Sequence, residues 1–260
     1  MDNARDRRQG VGVDALLLSL AAAAGAGALW WYQRPRRAPR ALESAFDADA
    51  EVALHVADHE ARARGQAIGS LHVLYGILQD ETIGNAIRQT GHDPEGLEDR
   101  VLAALALADD SRDGSDDESF ERAFHTAYAA GRRVTCRDLW AHVSPSAAAV
   151  IAAAEISHLA ILFRLCHGGD PARRDDAFDG DVHVVLRNDD YSTREFVCEI
   201  LERVFTFNAA DAETRMMQAH SEGRAVVGRF AVSDARAKVR DVRALATSRG
   251  YPLWIGIEPI

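Results

Sequence analysis

Val182-His183-Val184-Val185-Leu186-Arg187-Asn188-Asp189-Asp190-Tyr191-Ser192-Thr193-Arg194-Glu195-Phe196 changes periodicity part-way along. Val182 to Arg187 is an apolar run of strand length, rich in β-branched residues. From Ser192 to Phe207, the residues Phe196, Val197, Ile200, Leu201, Val204 and Phe205 recur at helical spacing and share one face. Between the two runs, Asn188, Asp189 and Asp190 place an amide and two carboxylates at a strand–helix junction. Such a junction concentrates acceptors where a small cation can dock. Ser192 and Glu195 stand at the spacing of a capping box.

The same alternation continues to the end of the chain. Residues 210–222 have helical pattern and stop at Gly223; 225–230 has strand pattern. Residues 233–249 have helical pattern and stop at Gly250, and 253–257 has strand pattern. Residues 181–260 are therefore expected to form a small α/β domain.

Upstream, residues 169–180 combine Gly, Pro and mixed charge and are expected to be a linker. The segment 109–118, DDSRDGSDDE, holds no apolar residue and has nothing to contribute to a core. It divides residues 41–168 into two similar halves. Glu51 through Gly65 is patterned as a helix closed by a glycine, and Ser119 through Gly131 repeats that pattern. Ser70 and Thr135 then open second helices, each followed by a turn and an Ala/Ile-rich helix. A twofold helical repeat follows.

Residues 1–40 are expected to hold a membrane anchor. Residues 15–32 carry no charge and end in Trp30, Trp31 and Tyr32, with Arg34, Arg36, Arg37 and Arg40 close behind. A cleaved signal peptide is the rival reading, with Arg5, Arg7 and Arg8 as its basic start.

The formal net charge is −10, yet residues 1–40 carry seven arginines against three aspartates. The excess of negative charge lies in the middle of the chain. That distribution argues against nucleic acid as a partner, since phosphates require Lys and Arg. Of the 30 basic residues only Lys238 is lysine. Cys136, Cys166 and Cys198 are far apart and form no C-x-x-C. They fit a reducing compartment and exclude a disulfide framework or a thiolate zinc site. His55, Asp58 and His59 resemble an inverted metalloprotease motif, but Asp stands where Glu is required and no third ligand is evident. They read as helix-surface residues. No phosphate-binding loop occurs, and no cofactor or metal is expected.

Two resemblances emerge from these segments. QAIGSLHVLYGILQD, residues 66–80, resembles the IGxEHLLLxLL signature of the N-terminal repeat domain of Clp unfoldases. SFERAFHTAYAAGRRVTCRDLWAHV, residues 119–143, with the closing Leu165-Cys166-His167-Gly168, resembles that domain's second half. The C-terminal segments VVLRNDDYSTREFVCEILERVF, MMQAHSEGRAVVGRF and GYPLWIGIE closely resemble the ClpS family of N-degron adaptors. The expected architecture is therefore α plus α/β. An N-terminal transmembrane helix precedes an all-helical Clp N-terminal-like double repeat (41–168), and a small ClpS-like α/β sandwich (181–260) follows.

The second resemblance implies a non-enzymatic adaptor. It would bind proteins with a large apolar N-terminal residue and deliver them to a Clp-family AAA+ unfoldase. A free α-amino group is a cation with several N–H donors and calls for converging acceptors. By resemblance these are Asn188, Asp189 and His220. The pocket for the neighbouring side chain is assigned to Ser192, Arg194, Val197, Met216, Ala219 and Leu253, and unfoldase docking to Lys238. Two positions depart from the family. Arg194 replaces a large apolar gate, and Ala219 replaces a β-branched residue.

The expected location is the inner (cytoplasmic) membrane, single-pass, with the soluble domains in the cytoplasm. The second reading is a non-delivering regulatory module that masks or competes for Clp adaptor and unfoldase docking.

Overall fold

The computed structural model describes residues 45–108, 115–169 and 178–260. The anchor expected at 15–32 lies outside the described residues. Among the described residues no single helix is long and apolar enough to cross a membrane. The chain falls into two compact units, divided between Ile156 and Ser157.

The first unit is helical: α1 (Ala48–Arg64), α2 (Ser70–Leu78), α3 (Glu81–Gln89), α4 (Pro94–Leu107), α5 (Ser115–Ala129), α6 (Cys136–Ala141) and α7 (Pro145–Ala153). Two local details recur in its two halves. Gly65 and Gly131 both adopt φ of 68°, the left-handed conformation that closes α1 and α5. The next amide bonds back in each case, Gln66 N–H to Ala61 O at 2.9 Å and Arg132 N–H to Ala127 O at 3.0 Å. Alanines at helical spacing face inward on both, with Ala53, Ala57 and Ala61 on α1 and Ala123 and Ala127 on α5. Such small residues allow close helix approach. At Gly76 an added Cβ would stand 2.1 Å from the Ala53 carbonyl oxygen, so α2 crosses α1 with no room for a side chain there. His55 and His59 are exposed on α1, and Asp58 pairs with Arg62 at 2.9 Å. They are surface groups of the helix.

The second unit contains α8 (His158–His167), β1 (Asp181–Arg187), α9 (Arg194–Phe205), α10 (Ala209–Glu222), β2 (Arg224–Ala231), α11 (Val232–Arg249) and β3 (Trp254–Pro259). The three strands form one antiparallel sheet in the order β2-β1-β3. A bulge between Val184 and Val185 leaves Val227 without a partner on β1. One sheet face carries Val182, Val184, Leu186, Val227, Ile255 and Ile257. It forms a single buried cluster with the apolar faces of α9, α10 and α11. On the other face the Trp254 indole lies flat along its own strand. An added Cβ at Gly256 would stand 2.7 Å from that ring. The Arg187 guanidinium stacks 4.0 Å over the ring. At the end of α8, the His167 Nε2 hydrogen-bonds the Pro252 carbonyl at 2.8 Å. A carbonyl only accepts, so Nε2 carries the hydrogen.

The strands and helices expected over 181–260 are present, with ends that differ by one or two residues, most tellingly at the start of α9. Thr193, not Ser192, is the N-cap, and its Oγ1 accepts from Phe196 N–H at 3.3 Å. Ser192 is held instead by Asp189, as described next.

Candidate functional site: an acceptor corner over an apolar cluster

Four chain segments converge on one end of the sheet. β1 ends at Arg187, which pairs with Arg224 at the start of β2 and with Trp254 at the start of β3. The next residue, Asn188, donates its N–H to the carbonyl of Gly223, 3.0 Å away. Gly223 is the left-handed cap of α10, three residues after His220. Asn188, the last turn of α10 and the lead-in to β3 thus share one corner. The start of α9 joins them through Tyr251, whose OH lies 3.3 Å from Thr193 Oγ1. The Tyr251 ring also stacks on Phe196 with centroids 4.5 Å apart.

Asp189 organises the turn between β1 and α9. Its Oδ1 accepts from Tyr191 N–H at 2.9 Å and from Ser192 N–H at 2.6 Å. Its Oδ2 accepts the Ser192 hydroxyl at 2.8 Å. A carboxylate offers about four lone-pair positions, so Oδ2 keeps one for a further donor. Asn188 and His220 differ from Asp189. Among the described residues neither side chain has a hydrogen-bond or ionic partner, and His220 is exposed. Asn188 and Asp189 thus follow β1 directly, and His220 stands in the last turn of α10, three residues before the carbonyl that takes the Asn188 N–H.

Val197, Met216, Ala219 and Leu253 all belong to the buried cluster of this unit. Val197 and Met216 retain 7 % exposure while every other member is at 4 % or below. Val197 lies on α9 and Met216 on α10. Arg194 stands at the first position of α9, one turn before Val197. It forms an ion pair with Glu213 of α10, one turn before Met216. Half-buried Cys198 lies in the field of the same pair. Burial pushes its thiol pKa up, while Arg194 opposes the shift.

Lys238 lies elsewhere. Its Nζ donates to the Val204 carbonyl at 2.9 Å and sits 5.8 and 5.7 Å from the Phe205 and Phe230 ring centroids. It thus satisfies a carbonyl at the C-terminal end of α9, ten residues from Arg194. At 1.5 Å per residue that is about 15 Å along the helix. Thr193 and Tyr251 complete the corner, and Glu213 pairs with Arg194; none of the three was among the expected site residues.

Among the described residues no cluster of His, Cys, Asp and Glu suited to a metal ion is present.

Residues 179–256 match the family model described as ATP-dependent Clp protease adaptor protein ClpS. The ATP-dependent Clp protease adapter protein ClpS of Acetivibrio thermocellus is 45% identical over 76 residues, which are 29% of this chain and 77% of that protein. The protein of the same description from Vibrio cholerae is 41% identical over 76 residues, 29% of this chain and 72% of that one. The one from Wolinella succinogenes is 43% identical over 75 residues, 29% and 74% respectively. Among solved structures, that of Agrobacterium tumefaciens ClpS2 bound to L-phenylalaninamide is similar at 35% identity. The match covers 32% of this chain and all of that one, with a TM-score of 0.31. Through its C-terminal unit this chain belongs to the ClpS family of ATP-dependent Clp protease adaptors.

Proposed function

We propose that the chain is an adaptor that holds the free N-terminus of substrate proteins at the Asn188–Asp189–His220 corner. The first side chain enters between α9 and α10, over Val197, Met216, Ala219 and Leu253. The observation that supports this reading is that the unengaged Asn188 and His220 side chains stand on either side of the Asn188 N–H to Gly223 carbonyl bond, in the unit whose buried cluster includes Val197, Met216, Ala219 and Leu253. An α-ammonium is satisfied by acceptors, and a large apolar side chain gains roughly 1.5–3 kcal/mol on burial. Together the two requirements select N-termini over internal segments. Substrates would then pass to a Clp-family AAA+ unfoldase.

The helical first unit, with its duplicated pattern and its likeness to the Clp N-terminal repeat, extends the proposal. We infer that it competes for, or supplements, the docking between adaptor and unfoldase. Residues 15–32 would tether both units to the cytoplasmic membrane.

Fluorescence anisotropy with the full chain tests the central reading. A peptide beginning with Phe is expected to bind, and its N-acetylated form is expected to lose most of that affinity. Equal binding of the two peptides would overturn the assignment.

A further inference from the structure

We propose that Glu213 is a specificity-determining residue, and that its ion pair with Arg194 is a charge-balanced latch across the pocket mouth. The inference rests on the N-terminus-binding reading above and adds a residue to it. The pair joins α9 and α10 one turn from Val197 and Met216 on the respective helices. Residues three apart on a helix are neighbours on its surface; α9 and α10 are joined by three residues and run antiparallel, so the ion pair crosses the line from Val197 to Met216. Half-buried Cys198, four residues after Arg194, feels both Arg194 and Glu213. On the proposed reading the pair spans the two helices between which the first side chain enters.

Arg194 brings a positive charge to a site built for a positively charged ligand. Glu213 cancels it. Both side chains are more than half exposed, at 53% and 57%. Exposed pairs of this kind are weak and are screened by salt, so the latch opens readily for an entering side chain. An apolar residue at position 194 would select by size alone. The ion pair adds selection by charge: it admits an α-ammonium only while Glu213 neutralises the guanidinium.

The test is anisotropy on the full chain, with a Phe-initiated peptide and its N-acetylated form, at about 50 mM and about 500 mM salt. At low salt Glu213→Gln is expected to bind the free-amine peptide about threefold more weakly than wild type, from the uncancelled charge of Arg194. Arg194→Gln, which leaves no uncancelled positive charge, is expected to bind it more tightly than Glu213→Gln does. The double variant Arg194→Gln/Glu213→Gln should recover most of the Glu213→Gln loss, and that loss should collapse at high salt. A Glu213→Gln protein that binds like wild type at low salt, or whose loss persists at high salt, would overturn the latch. If wild type itself fails to distinguish free from acetylated peptide, the N-terminus-binding reading fails instead. Thermal melts of each variant separate these outcomes from misfolding.

Discussion

His72 and Asp138 occupy equivalent places in the two halves of the helical unit, and each bonds the backbone N–H of the residue three before it. Gly69 N–H donates to His72 Nδ1 at 3.1 Å, and Thr135 N–H donates to Asp138 Oδ2 at 2.9 Å. Both side chains are buried. Each also takes the residue just after the glycine cap. His72 Nε2 lies 3.2 Å from Gln66 Oε1, and Arg132 holds both Asp138 oxygens at 2.5 and 2.9 Å. Because Nδ1 accepts, Nε2 must donate, so the first knot is neutral while the second is ionic. One geometry is built twice from different chemistry.

The ionic knot is expected to be the more costly to break. Asp138→Ala removes the carboxylate that pairs with Arg132 and accepts from the Thr135 amide. Removing one partner of a buried pair costs about 3–5 kcal/mol, and Arg132, a quarter exposed, draws this toward the lower end. His72→Ala removes a cap from a neutral knot and should cost about 1–2 kcal/mol. Hydrogen exchange read on peptides spanning 66–74 and 131–142 checks both. Asp138→Ala should accelerate exchange in the second peptide more than His72→Ala does in the first.

The glycine caps of the first unit and the strand–helix order of the second are legible in the sequence because local rules decide them. Gly65 and Gly131 are glycines at left-handed caps, where the lack of a Cβ is the reason for the residue. Val182, Val184 and Leu186 alternate toward one buried face. The site is only half legible. Ser192 and Thr193 are both competent caps; what decides between them is that Asp189 takes the Ser192 N–H and hydroxyl. The partner of Arg194 is 19 residues away on another helix, and no pattern within either helix announces it. Lys238 reads as a free surface charge until the fold brings the Val204 carbonyl within 2.9 Å of it.

The thiols should differ in reactivity. Burial pushes the Cys136 pKa far above its usual value, and nearby Asp80 and Asp47 push in the same direction. The thiolate is the reactive form, so raising the pKa empties it at pH 8. Cys136 should resist maleimide in the native protein and react only on unfolding. Cys166 and Cys198, which are partly exposed, should be labelled earlier. Mass spectrometry of timed labelling provides the comparison. Labelling of Cys136 at the rate of the other two would contradict its burial.

Gly256 is required by Trp254. A methyl group there would meet the indole at 2.7 Å, and Trp254 is itself held under Arg187. Gly256→Ala is therefore expected to destabilise the second unit by about 1–3 kcal/mol through overpacking. Thermal denaturation checks the loss, and the double variant Gly256→Ala/Trp254→Leu should recover part of it. Without that recovery, the cost would lie in the strand backbone and not in the ring.

Asp189 serves the turn and, on the proposed reading, the ligand, and two substitutions pull these roles apart. Asp189→Asn keeps an oxygen at Oδ1, which accepts the Tyr191 and Ser192 amides, but replaces the charged Oδ2 with a donor. The turn should survive with a modest loss of stability. The α-ammonium loses a charge-assisted bond worth about 1.5–3 kcal/mol, which corresponds to about a 10–100-fold weaker Kd. Asp189→Ala removes both functions and should lower the melting temperature as well as the affinity. If Asp189→Asn binds a Phe-initiated peptide as tightly as wild type, the carboxylate is a turn device only. The amine would then be held by Asn188 and His220 alone.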